Sequence, residues 1–114
     1  MLSSCMDGNK AKFEISNATP FLIDSLCVES TNPVTRQAGY KTRQLLSLHP
    51  QQNKVYLLDL GKETNDGSYL LSFITNGERK SQAFGYYTNG YVVEKVTKIQ
   101  IASDSIFIQP VYKD

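Results

Sequence analysis

The sequence predicts an all-β chain folded as a two-sheet antiparallel sandwich. Three observations carry this. No window of about 11 residues keeps apolar positions at helical spacing. Short β-branched and aromatic runs, separated by turn dipeptides, stand in its place. Asn-Gly occurs twice between such runs, at residues 76–77 and 89–90. It suits a type I′ turn, whose two central residues need positive φ and whose twist matches paired strands. With 114 residues the chain supports one core.

The elements follow in order. Residues 1–10 read as a polar tether and residues 11–114 as the domain. Residues 11–17 alternate, with Phe13 and Ile15 on one face. Pro20 opens a second strand over 21–29 without owing a ladder donor. Within it, the three-residue step from Ile23 to Leu26 predicts a bulge near Asp24 and Ser25. Residues 30–42 are polar and read as a long connection with a short edge strand near Val34. A strand over 43–48 stops at His49-Pro50, and residues 55–60 return as alternating apolar positions. That Pro-bearing turn and returning strand resemble a pattern of immunoglobulin-like sandwiches. Residues 61–67 form a polar loop, and strands follow over 68–75, 78–88, 91–101 and 105–111. The total is about seven to eight strands, an immunoglobulin-like or transthyretin-like sandwich.

The two Asn-Gly turns set register. Tyr69 is expected opposite Phe84, Leu71 opposite Gln82 and Phe73 opposite Lys80. Tyr86 is expected opposite Val93, and Phe84 opposite Lys95. The core face then holds Tyr69, Leu71, Phe73, Phe84, Tyr86 and Val93, joined by Ile99 and Ile101. Tyr87 and Val92 fall on the outer face. Lys95 and Thr97 break the inner pattern, which predicts a bulge or a change of sheet near Lys95. Leu70 and Leu71 cannot both be buried by one sheet, so two sheets are needed.

Composition narrows the function classes. Twelve Lys and Arg against eleven Asp and Glu leave a net charge of +1. No strong field points to nucleic acid, and no apolar run approaches the roughly 18 residues of a membrane helix. The glycines are scattered singly, with no phosphate-binding loop. His49 is the lone histidine and sits beside Pro50 in a turn, which leaves a triad hydrolase without local support. Asp59, Glu63, Asn65 and Asp66 supply oxygen ligands, but not at the spacing of a calcium loop. Glu29 and Glu94 have no spacing argument as a carboxylate pair. Neither metal nor cofactor is expected, and the chain reads as non-enzymatic.

Leu2-Ser3-Ser4-Cys5 resembles the lipobox of bacterial lipoproteins, whose cysteine receives diacylglycerol. The polar residues 7–10 behind it suit a tether. A working signal needs a basic segment and an apolar stretch before the cysteine, so the expected reading frame extends upstream of Met1. A true start at Met1 would give a cytoplasmic protein. Cys27 lies in the apolar run 26–28 and reads as a small core residue; a Cys5–Cys27 disulfide would exclude lipidation.

Residues 66–69 (Asp-Gly-Ser-Tyr), residues 84–90 (Phe-Gly-Tyr-Tyr-Thr-Asn-Gly) and residues 104–106 (Asp-Ser-Ile) resemble small uncharacterised lipoproteins of the Bacteroidota type. The resemblance implies a β-sandwich with an envelope address, on the periplasmic or surface face of the outer membrane. It implies no activity.

Tyr86, Tyr87 and Tyr91 cluster at the second expected hairpin. They read as a binding surface, since Tyr gives rigid amphipathic contact area, or as sheet-stabilising cross-strand partners. The expected function is an envelope lipoprotein acting as a binding or scaffold module. It would touch the membrane through Cys5 alone and engage a protein or glycan. The competing reading is a soluble inhibitor or immunity-type protein that caps a partner with the Tyr-rich hairpin or an edge strand.

Overall fold

The computed structural model describes residues 10–31, 38–41, 45–60, 66–87 and 92–112. Among these, every regular element is a strand: β1 (Lys10–Asn17), β2 (Ile23–Thr31), β3 (Ala38–Lys41), β4 (Leu46–Leu48), β5 (Asn53–Asp59), β6 (Gly67–Thr75), β7 (Glu78–Tyr87), β8 (Glu94–Ile101) and β9 (Ile106–Tyr112). One sheet has the order β5-β1-β8-β9. The other has β3-β2-β6-β7, with β4 also pairing β2. β4 pairs β2 at Ile23 and Leu26, and β3 pairs it at Glu29 and Thr31. The two short segments therefore lie end to end in one strand position, and each layer is four positions wide.

An immunoglobulin constant domain places its first two strands in one sheet. Here β1 and β2 lie in opposite sheets, and β1 runs between β5 and β8, parallel to β8. The sandwich is of the expected two-sheet class, with a strand order that differs from the constant-type immunoglobulin domain.

Alternation along the strands builds the core. From one sheet come Phe13, Ile15, Tyr56, Leu58, Ile99 and Ile101; from the other, Ile23, Leu26, Val28, Tyr69, Leu71 and Phe73. Phe13 meets Tyr69 and Phe84 edge-on, at centroid separations of 5.2 and 5.6 Å. Such edge-to-face pairs contribute about 1 kcal/mol each beyond their burial.

The first Asn-Gly turn forms as expected. Asn76 and Gly77 both have positive φ, 50° and 77°, and Tyr69, Leu71 and Phe73 pair with Phe84, Gln82 and Lys80. The bulge expected in β2 also forms. Its register shifts between Asp24 and Cys27, where Ser25 takes φ 54°. The shift turns the Leu26 carbonyl to accept a 2.8 Å hydrogen bond from the Tyr56 hydroxyl in the opposite sheet.

Four expectations are corrected. β7 and β8 do not pair, because β7 ends one sheet and β8 belongs to the other. The pairs Tyr86–Val93 and Phe84–Lys95 are therefore not made, and the chain changes sheet before β8, as the broken pattern at Lys95 had suggested. Residues 89–90 lie outside the described residues. Tyr86 and Tyr87 exchange faces: the register slips between Gly67–Tyr87 and Tyr69–Phe84, at Gly85 with φ 72°. Val92 and Val93 exchange faces likewise, with Val92 buried and Val93 exposed. Cys27 is only half-buried, since the bulge leaves Leu26 and Val28 pointing inward on either side of it. Val34 lies outside the described residues; the edge strand that is described is β3.

One polar residue is central to the core's end. Asn17 is 1% exposed. Its side-chain N–H groups donate to the carbonyls of Phe21 and Leu48, at 2.8 and 2.9 Å. Its side-chain oxygen accepts from the Thr19 backbone and hydroxyl, at 2.8 and 2.7 Å. Its backbone bonds Gln51 and Gln52. Asn17→Ala would leave several buried backbone groups unpaired. The expected loss is about 3 kcal/mol, measured as a lowered urea midpoint with unchanged slope. Gly85→Ala would place a Cβ 2.7 Å from the Tyr69 ring at a φ that suits glycine. It should cost roughly 1–3 kcal/mol by the same measurement.

Candidate functional site

The aromatic cluster at the β7 end is split by the Gly85 bulge. Tyr86 is 55% exposed, and its hydroxyl donates to the Asp66 carboxylate at 3.1 Å. Tyr87 is 1% exposed and packs on Tyr69 at 5.5 Å, so it belongs to the core and not to a binding surface. The extra residue that Gly85 inserts reverses the parity of everything after it. Tyr91 and Cys5 lie outside the described residues. Tyr69 is buried beneath these rings. Burial first, then the charges of Glu94 and Tyr87, push its phenol above the ordinary tyrosine range, so it stays neutral.

The other sequence candidates do not converge. His49 is exposed at the β4–β5 turn, where its backbone N–H donates to the Gln52 side chain. Asp59 and Asp66 are exposed, and Glu63 and Asn65 lie outside the described residues. Glu29 and Glu94 lie in different sheets. Among the described residues, no three His, Cys, Asp or Glu side chains gather as a metal site.

A hollow on the outer face of the β5-β1-β8-β9 sheet brings side chains together instead. Register aligns Val55, Glu14, Lys98 and Gln109 in one row across the four strands. Asn53, Ser16, Gln100 and Phe107 form the next row. These side chains line a hollow of about 420 Å³. A second hollow of about 570 Å³ continues it past Ser16 and Gln100 to Pro20, Pro50 and Gln51. The two make one trough. Phe107 is 58% exposed and Val55 56%. The side chains of Glu14, Lys98, Gln100 and Gln109 make no hydrogen bond or ion pair among the described residues.

The trough lies at the far end of β1 from its first residue. Lys10 pairs with Asp59, whereas Ser16 pairs with Asn53. The six residue steps from Lys10 to Ser16 span about 20 Å at ~3.4 Å per residue. Alternation with Ile99 and Ile108 marks Lys98, Gln100 and Gln109 as outward-facing in the sequence. Their meeting with Glu14 depends on the parallel pairing of β1 with β8.

Compared with protein-family models and with curated proteins, the chain matches none.

The division between the two neighbouring tyrosines is measurable. Tyr87→Ala should cost roughly 3–5 kcal/mol of stability. Tyr86→Ala should stay within about 1 kcal/mol, because its hydrogen bond is solvent-exposed. Equal losses in paired denaturant titrations would contradict the bulge.

Proposed function

We propose that the protein is a non-enzymatic binding module of the cell envelope, held to the membrane by lipid on Cys5, with the trough as its working surface. The observation that carries this reading is the position of the trough. It sits on the outer sheet face at the end remote from Lys10, where the tether enters β1. A chain anchored a few residues before Lys10 would keep that end near the bilayer and turn the trough outward. Support for the address comes from the lipobox resemblance of residues 2–5 and the polar residues behind it.

A second reading has its own observation. β7 is ten residues long and pairs with β6 alone among the described strands, with its own Tyr86 exposed. A soluble inhibitor or immunity-type protein would add a partner strand there. Arg79, Lys80 and the bulge at Gly85 weigh against it, since charge and bulges discourage strand addition.

One in-cell experiment separates the two. The protein is expressed from its full upstream reading frame with a photoreactive residue at position 107 or at position 81. Lipid mass on Cys5 and adducts from position 107 are expected. Unmodified Cys5 with adducts from position 81 alone would establish the inhibitor reading in its place.

A further inference from the structure

On the reading that the trough is the working surface, we propose that its ligand is an uncharged, polyhydroxylated saccharide chain. It would lie across β1, β8 and β9 with one ring stacked on Phe107.

The sheet face itself selects against a peptide strand. Backbone donors and acceptors are consumed in the ladders, so the face presents side chains only. A peptide pairs its own backbone at an edge. A ligand on the face must carry polar groups outward from its own scaffold, as a sugar ring does.

The donor and acceptor set agrees. Gln100 and Gln109 each offer a donor and an acceptor, Glu14 accepts and Lys98 donates. Each sugar hydroxyl both donates and accepts, so neighbouring hydroxyls are matched by planar amide or carboxylate groups. Strands lie about 4.8 Å apart and successive rows about 6.8 Å apart. That spacing lets one ring meet side chains from two strands.

Charge along the trough is close to balanced, which gives an ionic polymer little to bind. Glu14 and Lys98 are register partners and cancel within their row. The rim residue Lys54 leaves one positive charge in excess, which opposes a cationic polymer and offers an anionic one a single ammonium beside a carboxylate. The apolar element is Phe107, exposed one row from Gln109 on the same strand. The C–H face of a pyranose stacks on such a ring, and the neighbouring amides reach its hydroxyls. Ser16 and Gln100 line both hollows, so the trough extends past one ring, which favours a chain over a monosaccharide.

The test is a two-dimensional NMR titration of the unlipidated full chain with cellohexaose, maltohexaose and the hexamer of N-acetylglucosamine. At least one is expected to bind with micromolar to millimolar affinity, shifting the side-chain amides of Gln100 and Gln109. Phe107→Ala should weaken that affinity about tenfold or more, and Phe107→Tyr should retain it, with thermal unfolding unchanged in both. No shift with any of the three at millimolar concentration overturns the proposal. So do shifts confined to the Tyr86 end, or an affinity that Phe107→Ala leaves unaltered. The adducts at position 107 report separately whether the trough is engaged. A trough that crosslinks in cells but ignores every saccharide overturns the ligand class and spares the site.

Discussion

A buried amide holds the corner at which the chain leaves one sheet for the other. Asn17 ends β1, and within a few residues β2 begins in the opposite layer. Such a crossing strips backbone groups of ladder partners while the core keeps water away. Asn17 answers this with both hydrogens and its oxygen, binding Phe21, Leu48 and Thr19 at once. Its main chain ties in the β4–β5 turn. A shorter side chain could not reach, and a carboxylate would lack the two donors. Both hollows of the trough are walled in part by residues next to this corner, so the proposed binding surface inherits its rigidity.

Much of the fold was legible because it is local. The first Asn-Gly turn carries its own twist and register, and the step from Ile23 to Leu26 announces a bulge by breaking alternation. What was not legible depends on partners remote in sequence. The second Asn-Gly has the same local chemistry, yet β8 pairs with β1 and β9. Nothing in residues 84–93 encodes that choice. Gly85 is a related case. A glycine inside a strand signals a bend, but here its positive φ moves Tyr86 outward and Tyr87 inward. The reason is a tertiary one: the Tyr69 ring occupies the space where a Cβ would stand.

The candidate site was less legible still. Clustering of tyrosines in sequence drew attention to the β7 end, and two successive aromatics there proved to have opposite environments. The trough residues are spread over four strands and look in sequence like ordinary solvated positions. Glu14, Lys98 and Gln109 become neighbours only through the strand order. The sequence does mark them as outward-facing, through their alternation with Ile15, Ile99 and Ile108. A site assembled by register is visible only when the register is known.

The position of β1 has a further consequence, for the timing of folding. Its neighbours are β5 and β8, and Phe13 pairs with Thr97. The first strand synthesised therefore waits for the penultimate one before its sheet can close. Pairings so distant in sequence delay folding, since loop closure precedes the contacts that reward it. In a nascent chain the β5-β1-β8-β9 sheet stays open until β8 is made, whereas β2, β6 and β7 can pair earlier.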